Sequence, residues 1–447
     1  MASAAAQSAW NNTTPNLPDT VGCQDVEAVS GTVVWALGQK FTPGDSLYFF
    51  AGSPAVWWLR STDGGQTWTY DTLPVPGVPF LSSISAVDSS HAWVCGADFS
   101  TFAPFAFQTS DGGASWQPVL DTVFAQPTSF LNNIHFWNEQ EGIAMGDPAS
   151  SPADTTKFFE LYRTANGGIT WARVPFSQAL AGQPNEYGLF NVYETAGNRI
   201  WFMSSIGRVF RSNDRGLTWE SFETGYFANT GTIQFADTAV GVFGGFDFFN
   251  NSVGLFLTQD GGATWADITP ADSAYLPTSI EIVPETRVIV LVLRNNNLTG
   301  PFKTWISSDL GQSWQEIGTG DNAGWADFVD AETGFAGEWQ QTGRQMRMYT
   351  YAGSPLLGLF GRRELEASVQ LGPNPAQDYV QVTLTAPRPG KYQLMLHDAS
   401  GRLLQEAQSG LTASWQQRLD LSRLPAGRYT VTLSDAQGKV TRQIVKE

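Results

Sequence analysis

Cysteine and histidine are nearly missing from this chain: Cys23 and Cys95 are its only cysteines, and His91, His135 and His397 are isolated from one another in 447 residues. No Cys/His cluster with zinc-ligand spacing exists, so no metal is expected. Charge is also scarce, with 15 % of residues charged. What charge there is lies on the acidic side, 42 Asp and Glu against 25 Lys and Arg, for a net of −17. A surface of that sign argues against nucleic acid and against anionic membranes as partners. No run of about 18 apolar residues occurs, so no helical membrane span is expected. A phosphate loop, a dinucleotide fingerprint and a Gly-x-Ser-x-Gly elbow are all missing, and no cofactor is expected. The first residues, Met1-Ala-Ser-Ala-Ala-Ala-Gln, lack the basic start and apolar core of a signal peptide. They read as the small-residue remnant of a cleavage site, which places the start near a mature end.

Glycine and aromatic residues are abundant instead, with 45 Gly and 17 Trp. Six tryptophans recur in one motif, Asp-x-Gly-x-Thr/Ser-Trp. Its first residue is Asp63, Asp111, Asn166, Asp214, Asp260 and Asp309 in turn, at steps of 48, 55, 48, 46 and 49 residues. A period in this range marks a repeat architecture. Strand-like segments flank each copy, as Trp57-Trp58-Leu59 and Thr69-Tyr70 do the first. Asp-Gly and Asn-Gly between such segments signal a hairpin turn, because glycine takes positive φ without steric cost. The carboxylate can accept bonds from turn amides, and the Ser/Thr hydroxyl can tie the two arms. Six metal or ligand sites are one reading of the motif. A structural turn staple is the favoured one, since a carboxylate used by its own turn has little left for a ligand. Asn166 keeps the turn and drops the charge.

The motif resembles the Asp-box, or BNR, repeat of β-propellers. Upstream of each box lies a second strand pair, such as Asn133–Gly146 and Thr232–Gly245, so a repeat holds four strands, A to D, with the box between C and D. That makes one propeller blade. A–B pairs begin near residues 26, 84, 133, 191, 232, 279 and 325, predicting seven blades. No box follows the seventh pair. Ser8-Ala-Trp10 matches the segment after a box, so the N-terminal strand is predicted to complete blade seven and protect the ring's edges. The fold class is therefore all-β: a seven-bladed propeller over residues 1–352. The A–B turns of the type Asp237-Thr-Ala-Val-Gly241 and Asp330-Ala-Glu-Thr-Gly334 are also similar to those of photosystem II assembly-factor-like propellers, a resemblance that implies protein binding.

Residues 353–370 read as a linker. From 371 to 447 short strands alternate with turn signals every 8–12 residues, predicting a small Ig-like β-sandwich. From Glu366 onward there are 9 Lys/Arg and 7 Asp/Glu, so the rest of the chain carries −19 of the net charge. The segments Gly372-Pro-Asn-Pro375, His397-Asp-Ala-Ser-Gly-Arg402 and Leu419–Tyr429 resemble the C-terminal sorting domain of type IX secretion substrates. The resemblance implies that residues 371–447 engage that machinery and that the protein is secreted or held on the outer surface of a Gram-negative cell.

Strand order places A–B turns and boxes on one face and the longer B–C and D–A loops on the other. Loops held by a rigid scaffold concentrate binding, and these are rich in aromatics, Phe102 and Phe248 among them. Acids recur where strand B ends, at Asp98, Asp147, Asp247 and Glu338. Those six residues are the candidates for a ligand face. Cys23, just before strand A of blade one, and Cys95, late in strand B of blade two, form a candidate disulfide. Three functions remain: a surface or secreted binding propeller for a glycan or protein; a glycoside hydrolase using paired carboxylates; and an assembly scaffold. The first is preferred.

Overall fold

A computed structural model describes the chain apart from residues 1–8, 14, 16, 18–20, 41–55, 76, 78, 99, 102, 121–129, 152–153, 229, 248–249, 251, 271–274, 285, 296–301, 339–345, 358–367, 399–402, 411 and 435–438. It divides into two compact units, Met1–Gly358 and Leu359–Glu447.

The first unit holds seven antiparallel four-stranded sheets. Their first strands, A, are Val21–Ala28, Pro79–Ala86, Leu131–Phe136, Gly188–Ala196, Thr230–Phe235, Tyr275–Ile282 and Ala323–Phe328. Six sheets are built from consecutive strands. The seventh has Ala323–Phe328, Gly334–Glu338 and Met348–Tyr351 as strands A to C, and its fourth strand is Trp10–Asn12, paired antiparallel with Met348–Tyr351.

Seven apolar clusters hold the sheets together, each shared by two neighbouring blades. Trp35, Trp58, Ile84 and Trp116 pack blades one and two, for example, and Val26, Val34, Phe335 and Met348 pack seven and one. Alternation explains this: one face of every twisted sheet meets the preceding blade and the other face the next, so both must be apolar. The box tryptophans sit at these seams. Trp116, Trp219 and Trp265 pack between their own blade and the one before. Blade seven has no box, and Trp10 from the N-terminal strand takes the equivalent place between blades six and seven, against Phe328 and Tyr351 at 5.7 and 5.6 Å. Ring stacking adds to burial elsewhere, as in Trp93 on Phe136 and Trp201 on Phe235, both at 3.7 Å between centroids.

The expected Cys23–Cys95 disulfide is not formed. Both thiols are free and buried. Cys23 faces the seam between blades seven and one, and Cys95 the seam between blades two and three. They therefore point to different flanks of different blades, and burial in apolar surroundings pushes both thiols upward, Cys95 to about 12.

In the boxes the carboxylates are consumed locally. Asp63 accepts from the Ser61 hydroxyl at 2.8 Å, from Thr67 N at 2.9 Å and from the Thr67 hydroxyl at 2.5 Å. Asp214, Asp260 and Asp309 repeat the pattern. Asn166 reproduces it with its amide donating to the Thr170 hydroxyl. Two consecutive glycines at positive φ, such as Gly64 and Gly65, make the turn. In blades four and six Arg215 and Leu310 occupy the first of these positions at φ 56° and 58°, a conformation that costs a side chain about 1 kcal/mol or more.

The second unit comprises a three-stranded sheet (Ser368–Gly372, Tyr379–Gly390, Thr412–Asp420) and a four-stranded sheet (Leu403–Gln408, Gln393–His397, Gly427–Ser434, Lys439–Lys446). They share one core, including Val380, Leu384, Leu396, Val431 and Ile444. The Tyr429 hydroxyl donates to Pro425 O at 2.7 Å.

Candidate functional site

The seven A strands lie innermost, and each has one edge with no strand partner. Backbone N–H groups on that edge must be satisfied by something else. Side chains of the preceding blade do it. Asp25 accepts from Ile84 N at 2.9 Å, Ser83 from Ile134 N at 3.1 Å, Ser85 from Phe136 N at 3.0 Å, Ser279 from Ala326 N at 3.1 Å and Asp327 from Ala28 N at 2.6 Å. The last bond carries the pattern across the junction of blades seven and one. Several positions on the unpaired edges of A strands are thus polar though buried or half-buried.

Strand A of blade four departs from this regularity. Its register jumps between Gly188 and Tyr193, and Asn191 inside the bulge has φ 54°. Asparagine tolerates that region better than most residues. The bulge carries Phe190 onto Phe80 of blade two, 5.0 Å between centroids, with Phe130 of blade three 5.7 Å from Phe80. It also brings the Asn191 amide to the Asp25 carboxylate of blade one. Contacts between blades that are not neighbours mean the bulge reaches across the axis. The first halves of the A strands are plugged there.

Past the plug, toward the A–B turns, lies a pocket of about 250 Å³. Asp25, Glu27, Glu194 and Asp327 contribute carboxylates to its wall, beside Tyr193, Trp325 and His135, and a fifth acid, Glu281, is buried outside the wall but close enough to feel the Asp327 and Glu194 charges. Among the described residues no lysine or arginine pairs with any of these five acids in a salt bridge. Burial pushes Asp25 up to about 7, with nearby Asp327 adding to the effect, and Asp327 itself to about 6. Glu194 rises to about 8, while Glu27 and Glu281 go well above the usual carboxylate range, first through burial and then through the charges of their acidic neighbours. Burial, helped by the Arg215 charge, pushes His135 down to about 3, so it is a neutral ring at physiological pH. Glu281 is 4 % exposed and its Oε2 has no hydrogen-bond partner, and the same holds for Nε2 of His135. Glu27, Tyr193, Glu194 and Asp327 keep partial exposure, which only the pocket can provide.

The candidates chosen from the sequence lie elsewhere. Phe102 and Phe248 fall outside the described residues. Asp98, Asp147, Asp247 and Glu338 all belong to B strands, one strand out from the axis, and none lines the pocket. Each carboxylate is occupied: Asp98 by Ser100 N and Thr101 N, Asp147 by the Asn132 amide and Gly188 N, Asp247 by Asn250, Glu338 by Arg347 N. The residues that do meet at the axis carry a signal of their own. Glu281 stands between Ile280 and Ile282, and Glu27 between Val26 and Ala28. A lone acid at an alternating position of an apolar strand points to the one face that is not a blade seam.

Comparison with known proteins places this geometry. Residues 370–447 match a secretion system C-terminal sorting domain, and residues 69–237 match the photosynthesis system II assembly factor YCF48 family. A xyloglucanase of Paenibacillus sp. is 26 % identical over 51 % of the chain, and the photosystem II assembly lipoprotein Ycf48 of Synechococcus sp. is 25 % identical over 32 %. The chain spans only 26 % and 36 % of those relatives' own lengths. Two solved structures share the propeller fold. YCF48 bound to D1 peptide covers 78 % of this chain and 96 % of its own, with a TM-score of 0.52 and 16 % identity. YCF48 from Cyanidioschyzon merolae covers 77 % and 99 %, with a TM-score of 0.53 and 15 % identity. The chain is a BNR-type β-propeller with YCF48-like repeats that carries a secretion-system C-terminal sorting domain.

Proposed function

We propose that this protein is a non-enzymatic binding propeller, exported by the type IX secretion system and acting as a secreted or surface-attached receptor. The observation that supports binding over hydrolysis is the size of the axial pocket. Glycoside hydrolysis needs room for a sugar between an acid and a second carboxylate. At about 250 Å³, with Tyr193 and Trp325 beside the acids, the pocket lies below the roughly 300–1,000 Å³ of sites that take larger ligands. The YCF48 structure with bound peptide adds a precedent for binding on this fold.

Glycoside hydrolysis is the second reading, favoured by the similarity to a xyloglucanase and by carboxyls gathered in one cavity. Incubating the full chain with xyloglucan and a panel of plant and bacterial polysaccharides separates the two. No reducing ends should be released above a Glu27→Gln/Glu281→Gln control, while the chain retains a ligand in a binding assay. Turnover that the double variant abolishes would replace the binding reading.

A further inference from the structure

Resting on that reading, we infer that the axial pocket takes a single organic cation, the ammonium or guanidinium group of a lysine or arginine side chain in a peptide. Four independent features converge on this ligand. The wall is acidic and, among the described residues, no lysine or arginine pairs with it, so the positive charge that buried carboxylates require would come from a ligand. A polar atom of the wall remains open, Nε2 of His135, and beside the wall Oε2 of Glu281 is buried without a partner. Two aromatic faces, Tyr193 and Trp325, flank the acids, which suits a cation stacked on a ring. The size is small. Ligand sites for larger molecules run to roughly 300–1,000 Å³, and a cavity of about 250 Å³ suits one side chain better than a run of sugars.

The spacing selects an organic cation over a bare metal ion. Among the described residues the one group whose ligand atoms converge closely enough for a metal is Asp88, His91 and Glu139, at the A–B turns of blades two and three. The axial carboxylates do not converge in that way. Those of the wall come from blades one, four and seven, around a space that an ammonium or guanidinium can address with several divergent N–H donors.

The test is calorimetry on the full chain at pH 8 with four probes: agmatine, a capped hexapeptide with one central arginine, the same peptide with citrulline, and calcium chloride. The arginine peptide should bind at 1:1. Agmatine should bind more weakly, and citrulline and calcium not at all. Glu27→Gln/Glu194→Gln should weaken the peptide at least tenfold while leaving the circular dichroism unchanged. Thr232→Lys, which sets an ammonium into the same pocket, should raise the melting temperature and abolish binding, and this covers the case in which the double variant fails to fold. Agmatine binding as tightly as the peptide would make the ligand a free amine. Citrulline binding equal to arginine, calcium binding at 1:1, or binding untouched by Thr232→Lys would each overturn the inference. Failure with every cation, while the chain still holds a neutral glycan or an acidic peptide, would sink this inference and leave the binding function standing.

Discussion

Two sets of acids in one propeller have opposite fates. Box aspartates sit in exposed turns, each surrounded by two hydroxyls and an amide of its own loop, and these bonds bring Asp63 and Asp111 down to about 2. Axial acids sit at the centre, where burial outweighs whatever bonds they receive, and they are held up. Local sequence determines the first set. The assembled ring determines the second, because no single blade places Glu27, Glu194 and Asp327 around one space. A carboxylate that stabilises its own turn is a staple; one whose stability is set by seven distant strands is available to a ligand.

The comparison is broken most forcefully by pH. An axial carboxyl releases its proton near 4 in the unfolded chain and much later in the folded one. Between those values the folded state holds more protons, so stability must fall as pH rises. From Asp327, Asp25 and Glu194 the loss should spread from about pH 4 to about pH 8, and from Glu27 and Glu281 further up. Glu27→Gln/Glu281→Gln should stabilise the chain at pH 8 and flatten the melting temperature against pH. A melting temperature that climbs between pH 5 and 8 would contradict the assignment.

Asp25 should give smaller effects whose sign depends on the replacement. Asp25→Asn keeps an acceptor for Ile84 N and should be neutral or stabilising at pH 8. Asp25→Ala leaves that buried amide unpaired and should cost about 1–3 kcal/mol in denaturant unfolding. Equal results for the two would mean that the interblade bond contributes nothing. The smallest effect belongs to the boxes. Asp260→Ala removes bonds at both ends of the turn and should cost about 1 kcal/mol. Asp260→Asn should cost only a few tenths, since Asn166 already performs the same task in blade three. A large loss on Asp260→Asn would show that the charge matters for more than the turn.

The contrast also explains what could be learned before the fold was known. Repeat period, box chemistry and the role of Trp10 were legible because they are local patterns, set by glycine geometry and hydrogen bonds across four residues. Strand-B acids drew attention because loop ends usually carry function, yet their carboxylates proved to be engaged by nearby amides. The axial acids were overlooked because strand A looked like ordinary blade interior. Its inward edge becomes distinctive only when seven copies face one another, and the bulge at Asn191 has no counterpart in the repeat pattern. The expected disulfide failed for a related reason: which flank of a blade a residue faces depends on register, and Cys23 follows an irregularity between Cys23 and Asp25.

The pairing of Trp10–Asn12 with Met348–Tyr351 has a kinetic consequence. Trp10 meets its partner Tyr351 across 341 residues of chain, so this contact carries a large loop-closure entropy and is made after the local hairpins. Until it forms, the ring has a free edge. The indole of Trp10, edge-on to Tyr351 and hydrogen-bonded to Thr304 at 3.2 Å, sits at that closure, and a probe placed there alone would time when the chain becomes a sealed ring.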